Sequence, residues 1–233
     1  LPRTADPVLP EQIAEWVRDA LPRFLDVSGS VIGVSAAAVR PGPFYIMGLN
    51  PGGDPSEISS RIGDPMPARP LGWSVFTHDC WYDHCTGCPG RSGKLVPDNH
   101  VTVHQRRVIE LHRALGRSVG SIVTTNAIFA RSQDEERMHS QTARGAWDWW
   151  KDCWPVHQRL LSVVRPHVIV ALGKGTGTSA YAFLRDEAWG FEKRSARKLG
   201  RKAVRPEDAP LPDNAPTSAR TFLGGLPLQA DDL

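Results

Sequence analysis

The sequence predicts an α/β fold built on a parallel sheet, and two observations lead to this prediction. Three short apolar segments, at residues 44–49, 121–125 and 167–172, are typical of buried strands because they do not alternate between apolar and polar side chains. Segments with helical spacing separate them, as expected for parallel strands with helices on both faces. We expect one domain over residues 1–233, whose 40% hydrophobic and 23% charged content is ordinary for a globular protein.

Four helices are expected around these strands. Residues 10–25 carry apolar side chains near helical spacing, and residues 101–116 end at a glycine, which commonly terminates a helix. Residues 141–165 predict a helix rich in tryptophan, and residues 176–185 predict a helix after the third strand. Residues 54–100 are rich in Pro, Gly and Asp, so they are expected to be mostly loop.

The ends of the predicted strands indicate where a site would form. In parallel sheets, binding and catalytic residues lie at the carboxyl ends of the strands. The loops at residues 50–56, 126–132 and 173–177 follow the three strands. We therefore expect these loops to meet along one edge of the sheet.

Composition excludes some classes of protein but does not identify a partner. The chain has 28 basic and 25 acidic residues, and a net charge of +3 is too small to indicate nucleic acid by itself. We find no apolar run long enough to cross a membrane and no signal-peptide pattern. We expect a monomeric cytoplasmic protein without a membrane partner.

A basic segment at about residues 190–206 concentrates the positive charge. Its cations recur near helical spacing, interrupted by Gly200: Lys193, Arg194, Arg197, Lys198, Arg201, Lys202 and Arg205. On a helix they would form a stripe that neutralises DNA phosphates and makes binding sensitive to salt. The alternative is an ordinary solvated surface.

A cluster of cysteines and histidines at about residues 77–96 predicts a metal site. Clustered cysteines in a cytoplasmic chain favour a metal over a disulfide. The predicted ligands are Cys80, Cys85, Cys88 and the distant Cys153, with His78 and His84 nearby. Zinc suits an otherwise irregular loop, and a 4Fe-4S cluster also takes four cysteines. The third interpretation is four reduced thiols, and the spacing does not choose among the three.

Three motifs resemble those of one known family. Residues 48–52, Gly-Leu-Asn-Pro-Gly, resemble motif A of uracil-DNA glycosylases, especially the mismatch-specific and single-strand-selective branches. Residues 124–127, Thr-Thr-Asn-Ala, resemble the base-reading segment. Residues 153–155 and 165–173 resemble a helix and the third strand of the thermophilic, iron–sulfur branches. The chain therefore resembles the uracil-DNA glycosylase-like superfamily over roughly residues 40–185.

The resemblance implies a fold, an activity and a site. The fold is a three-layer sandwich with a central parallel four-stranded sheet flanked by helices. The activity is extrusion of a base from DNA followed by hydrolysis of its N-glycosidic bond, for which no cofactor is needed. Asn50 would hold the attacking water, since an amide positions water better than it deprotonates it. Asn126 would pair with the base edge, because an amide offers donors and acceptors. In the alternative interpretation, Asn50 is a turn residue and Asn126 caps the segment that follows it.

Further positions follow from the same resemblance. Trp73 begins a segment resembling the one that supplies the family's stacking ring, with Phe76 as a second choice or a core residue. Gly52 stands where the strictly uracil-specific branch has a tyrosine against the pyrimidine C5 atom, so we expect 5-substituted pyrimidines, including bulky ones. A phosphate of DNA would lie on the loop Gly173, Lys174, Gly175 and Thr176, which opens a helix but lacks the P-loop pattern.

The sequence also departs from the family. Most members have a motif B histidine that stabilises the departing base, and no histidine follows His167. Ala130 replaces a cysteine of the iron–sulfur branch, whose N-terminal cysteine pair is absent. Motif B could lie outside this sequence, be replaced by another residue, or be missing from a protein that does not catalyse.

Three functions therefore compete. The first is a DNA glycosylase for a modified or deaminated pyrimidine, acting in base-excision repair or in antiphage defence against hypermodified cytosine. The second is a non-catalytic module of the same fold that binds DNA and senses bases. The third, a small-molecule hydrolase, fits the tryptophans and the basic segment less well.

Overall fold

The computed structural model describes most of the chain and contains the predicted class of fold. The described residues are 8–56, 60–81, 94–173 and 177–187. They form an α/β structure with a three-stranded parallel sheet flanked by helices. None of the helices in these ranges is long and apolar enough to cross a lipid bilayer.

The sheet has the strand order β2-β1-β3. Its strands are β1 (Phe44–Gly48), β2 (Val123–Asn126) and β3 (Val168–Ala171). Ile46 in the central strand pairs with Thr124 on one side and Val170 on the other, both in parallel register. The prediction of three strands is confirmed, and the continuous apolar character of β1 is explained by its position between two neighbours.

Helices precede, separate and follow the strands. They are α1 (Pro10–Ala20), α2 (Val75–His78), α3 (Val103–Ala114), α4 (Glu135–Thr142), α5 (Ala146–Val164) and a last helical stretch at residues 180–187. Helix α1 is shorter than predicted because Leu21 precedes Pro22, and a residue before proline avoids the helical conformation. Helix α3 begins at a capping box between Thr102 and Gln105, with bonds of 3.2 and 2.9 Å.

The helix predicted over residues 141–165 is confirmed over Ala146–Val164, but residues 141 and 142 belong to the end of a separate helix, α4. Ala143 has a φ of 55°, a left-handed conformation that ends α4, and Gly145 is the N-cap of α5. Helix α4 was not predicted, although Asp134 provides its N-cap by accepting from the backbone N–H of Arg137 at 2.7 Å.

The main core lies between α1, α5 and the sheet. Helix α5 presents one buried face, formed by Trp149, Trp150, Cys153, Val156, His157, Leu160, Leu161 and Val164. Helix α1 packs against α5 through Ile13 and Val17, which are both buried. Full burial of each large apolar side chain contributes about 1.5–3 kcal/mol, so this face fixes α5 against the sheet.

A buried histidine of α5, His157, forms hydrogen bonds with β1 and with the residue that follows β2. Nε2 of His157 lies 3.1 Å from the carbonyl oxygen of Ala127, and Nδ1 lies 3.1 Å from the hydroxyl of Tyr45. A carbonyl only accepts, so Nε2 carries the proton and Nδ1 accepts from Tyr45. Burial lowers the pKa of His157 to about 4, so the imidazole is neutral. This network fixes the chain immediately after β2.

Candidate active site

A cavity of about 1190 Å³ opens at the carboxyl ends of β1 and β2. Six of the predicted site residues line it: Asn50, Gly52, Trp73, Cys80, Asn126 and Gly173. The expectation that the three loops meet at one edge of the sheet is therefore confirmed for the described residues. Lys174, Gly175 and Thr176 lie outside the described residues, as does the basic segment at about 190–206.

Backbone pairing beyond the strands brings the first two loops together. The N–H of Ala127 donates to Gly48 at 2.8 Å, and the N–H of Ile128 donates to Leu49 at 2.9 Å. The N–H of Ser132 reaches the carbonyl of Pro51 at 3.3 Å. The loop after β2 thus follows the loop after β1 and holds it beside the cavity.

The side-chain amide of Asn50 has one defined orientation. Its Nδ2 atom donates to the carbonyl oxygens of Pro51 and Ser132, both at 3.0 Å, and to Oγ of Ser132 at 3.1 Å. The hydroxyl of Ser132 donates its own proton to the carbonyl of Asp134 at 2.7 Å, so it can only accept from Asn50. Nitrogen therefore faces Ser132, and Oδ1 receives no hydrogen bond from any described residue.

Asn126 ends β2 directly beside Gly48, its register partner in β1. Oδ1 of Asn126 lies 2.7 Å from the position that a Cβ atom at residue 48 would occupy. Glycine is therefore needed at position 48 for the Asn126 amide to lean over β1. No described residue hydrogen-bonds that amide, so its donors and acceptor are available to a ligand.

Gly52 lies at an open part of the cavity wall. A Cβ atom built on it would have no other atom within 4 Å. Its carbonyl accepts from Nη1 of Arg131, whose Nη2 donates to Oγ of Ser60 at 3.3 Å. Arg131 thus fixes the backbone of this loop while its guanidinium lines the cavity. Sequence analysis missed Arg131 and Ser132, although both follow Asn126 in the predicted loop at 126–132.

The carboxyl group of Asp79 shares the cavity with the guanidinium groups of Arg69 and Arg131. Asp79 lines the cavity, and within the described ranges it forms no salt bridge. Burial raises its pKa, against the opposing effects of Arg69, His78 and Arg131. Burial also lowers the pKa of Arg131, which Asp79 partly offsets. Asp79 was not singled out from the sequence, since it stands among the cysteines and histidines of the predicted metal cluster.

The segment that contains Trp73 reaches the cavity through residues 31–34. Ile32 bridges to Thr125 in β2, and Val34 bridges to Ser74, both antiparallel. The guanidinium of Arg69 lies over the Trp73 ring, 4.8 Å from its centre, and the ring of His78 is 5.9 Å away. Trp73 therefore lines the cavity with part of its ring already in contact with protein groups.

Two of the four predicted metal ligands are described, and they pack in different places. Cys153 is fully buried in the main core, where burial raises its pKa to about 12. Cys80 packs against a separate small cluster formed by Val96 and Val101. These two cysteines alone do not form a ligand set, and Cys85 and Cys88 lie outside the described residues. The metal centre stays a prediction, and none of the chemistry below depends on it.

The cavity combines polar groups that can bind and orient a ligand. Among the described residues, Oδ1 of Asn50 and the amide of Asn126 have no hydrogen-bond partner, and no salt bridge joins Asp79 to Arg69 or Arg131. Comparisons of this chain with protein-family models, with curated proteins and with solved structures found no match.

Proposed function

We propose that this chain is a DNA glycosylase of the uracil-DNA glycosylase-like superfamily, with the four-stranded three-layer fold of that family. It extrudes a modified or deaminated pyrimidine nucleotide into the cavity and hydrolyses the N-glycosidic bond, which leaves an abasic site. The observation that supports this most strongly is the fixed amide of Asn50, which shares the cavity with the amide of Asn126. Neither Oδ1 of Asn50 nor the Asn126 amide is hydrogen-bonded by a residue that the structure describes.

In this reaction Asn50 positions water. Oδ1 accepts a hydrogen bond from the water molecule, which orients a lone pair of the water towards the anomeric carbon C1′. The bond between C1′ and N1 of the base breaks, and its electron pair leaves with the base. The water oxygen bonds to C1′ and releases its proton to solvent. An amide that is already held in place costs no reorganisation when the bond breaks.

The departing base carries negative charge, and the cavity contains cations that can stabilise it. Arg131 is held by Gly52 and Ser60, and Arg69 lines the same cavity. In a partly buried site the interaction between a cation and developing negative charge is stronger than in water. These arginines are our candidates for the role that motif B histidine has in related enzymes.

The open wall at Gly52 supports a substrate with a substituent at the pyrimidine C5 atom. The cavity of about 1190 Å³ exceeds the roughly 300–1,000 Å³ that commonly holds drug-sized ligands, so a bare pyrimidine would leave much of it empty. We therefore favour hypermodified cytosine in phage DNA as the substrate class, which would make the protein an antiphage defence enzyme. The second candidate role is base-excision repair of deaminated or oxidised pyrimidines.

DNA would contact the chain outside the cavity as well. Gly173, at the end of the loop after β3, has a φ of 97°, which favours glycine. We propose that the loop beginning there binds a phosphate and that the basic segment at about 190–206 neutralises others, which predicts salt-sensitive binding.

One assay tests the reaction directly. Duplexes and single strands containing uracil, 5-hydroxymethylcytosine or glucosylated 5-hydroxymethylcytosine are incubated with the protein and then treated with alkali, which cleaves at abasic sites. We expect cleavage with at least one modified base, and a loss of about 10²-fold or more in Asn50→Ala. Lys151→Gln, an exposed change on α5, is the control and should cleave like the wild type.

The alternative is a non-catalytic DNA-binding module that senses bases, which the absence of a histidine after His167 favours. In that case every duplex would resist alkali while binding remained tight and sensitive to salt. Equal cleavage by Asn50→Ala and wild type would remove Asn50 from the mechanism.

A further inference from the structure

The cavity has an aromatic wall that the proposed reaction does not yet use. Phe76, Trp81 and His104 all line it. The rings of Trp81 and His104 are stacked, with centres 5.9 Å apart and planes 21° apart. Phe76 is tilted against both, at 5.3 Å from Trp81 and 6.3 Å from His104. The three rings therefore form one contiguous cluster, which we call the aromatic wall.

Within the aromatic wall Trp81 and His104 are exposed, whereas Phe76 is buried. The exposed fraction of Trp81 is 38%, compared with 7% for Phe76. Phe76 also lies in α2 and packs behind Trp81, so little of its ring is available to a ligand. A tryptophan with an open surface beside a cavity is a suitable platform for a nucleobase, because every base has a π face.

His104 stacks against Trp81 from the N-terminal turn of α3. It is the second residue of α3, whose N-terminus is fixed by the capping box of Thr102 and Gln105. Desolvation and the neighbouring Arg107 lower the pKa of His104, which favours the neutral imidazole whose flat face stacks on Trp81. The contacts with His104 and Phe76 therefore limit the orientations of the Trp81 ring.

Trp73, the ring that the sequence indicated, is less suited to stacking. Arg69 covers its ring at 4.8 Å, and His78 approaches at 5.9 Å. A base that stacked on the same face would have to displace the guanidinium and lose the cation–π contact.

We propose that Trp81, positioned by His104, is the ring on which the extruded pyrimidine stacks. This inference rests on the proposed function for its ligand, but base stacking and bond hydrolysis are separate properties. Trp81 touches the base in this arrangement, and His104 acts through Trp81 as a positioning residue.

The test uses duplex DNA with one pyrrolocytosine in a mismatch, a fluorescent base whose emission is quenched when it stacks. We expect the wild type to quench it on binding. Trp81→Ala should abolish the quenching and weaken binding by roughly 5- to 150-fold, from about 1–3 kcal/mol per stacked base. Trp81→Phe should retain most of both. Trp147→Phe, a matched change of an exposed tryptophan outside the cavity, should behave like the wild type.

Further variants distinguish a role of Trp81 in base stacking from an effect of Trp81 on folding. His104→Ala should reduce the quenching partially. His104→Phe should restore it, since any flat ring that stacks against Trp81 can limit its orientation. Unchanged quenching and affinity in Trp81→Ala, with loss in Trp73→Ala, would overturn the proposal. For each variant, a melting temperature equal to that of the wild type excludes misfolding. If Trp81→Ala does not fold, the quenching by Trp81→Phe tests the stacking role.

The two proposals fail in different ways. A wild type that quenches pyrrolocytosine through Trp81 but releases no base from any DNA refutes the hydrolysis and leaves the stacking intact. A wild type that cleaves, with KM unchanged in Trp81→Ala, refutes the stacking and leaves the hydrolysis intact. A wild type that neither binds nor quenches refutes both.

Discussion

The amide nitrogen of Asn50 donates to both the carbonyl oxygen and the hydroxyl oxygen of Ser132, at 3.0 and 3.1 Å, across 82 positions of the chain. This contact joins the loop after β1 to the loop after β2. It also determines which end of the amide a ligand meets, because both oxygens of Ser132 act as acceptors. The Asn50 side chain and the loop after β2 are therefore held as one unit.

Replacing Asn50 by aspartate should be harmful at neutral pH, even though a carboxylate is a better base. The carboxylate would face the oxygens of Pro51 and Ser132 without a proton to donate, at a cost of about 1–3 kcal/mol. The pKa of the introduced carboxyl should rise in the folded state, so stability should fall as the pH increases from the unfolded-state pKa to this raised folded-state pKa. Denaturant unfolding of Asn50→Asp from acid to neutral pH measures this, and a variant as stable and active as the wild type at pH 7 would contradict the assigned orientation.

Ser132→Ala should weaken the positioning of Asn50 without removing it. The variant loses one of three acceptors around Nδ2 and keeps both carbonyl oxygens. One hydrogen bond of about 1 kcal/mol corresponds to a loss of roughly fivefold in kcat. We expect KM to be unchanged in steady-state cleavage assays. Ser140→Ala, which removes an exposed serine hydroxyl from α4, is the matched control, and equal kcat values for both would disprove a role for Ser132.

Gly48→Ala should displace the Asn126 amide. The added Cβ would lie 2.7 Å from Oδ1 of Asn126, closer than real contacts allow. We expect at least tenfold weaker discrimination between bases, measured as the ratio of kcat/KM values for two substrates. At Gly42, before β1, an added Cβ would meet only the carbonyl oxygen of Arg40 at 3.8 Å, so Gly42→Ala should leave the ratio unchanged. The same ratio in both variants would show that Asn126 does not select the base.

Gly52→Tyr should narrow the range of substrates. The open space at Gly52 can accept a ring, which would then occupy the room that a C5 substituent needs. We expect excision of bulky 5-substituted pyrimidines to fall by more than 10²-fold, while any activity on unsubstituted uracil is retained. Competition between the two substrates in one reaction measures the change. A proportional loss on both would instead indicate damage to the loop.

Asp79→Asn should make the protein more stable at neutral pH. Burial raises the pKa of Asp79 above its ordinary value of 3.8, so the wild type loses stability as the pH rises from the unfolded-state pKa to the folded-state pKa. The loss persists above that interval, and an amide does not suffer it. The melting temperature of the variant should exceed that of the wild type at pH 7, and the difference should shrink below pH 3.8. A lower melting temperature at pH 7 would show that Arg69 and Arg131 stabilise the carboxylate more than burial destabilises it.

Several features of the fold could be predicted because they depend on local sequence. The three strands are short apolar segments followed by Gly or Asn, and a parallel sheet requires their carboxyl ends to share an edge. The break between α4 and α5 could not be predicted from periodicity. It depends on a left-handed Ala143, a conformation that alanine rarely adopts without support from its surroundings.

The sequence by itself determined the strands, the loops that follow them and the presence of Asn50 and Asn126 at their ends, since these follow from apolar patterning and strand polarity. Only the tertiary structure decided what these groups can do. The orientation of the Asn50 amide depends on Ser132, and the openness of Gly52 and the environment of Asp79 depend on segments far away in the chain. Hydrogen-bond direction and desolvation are properties of neighbours in space, so residue order alone does not specify them.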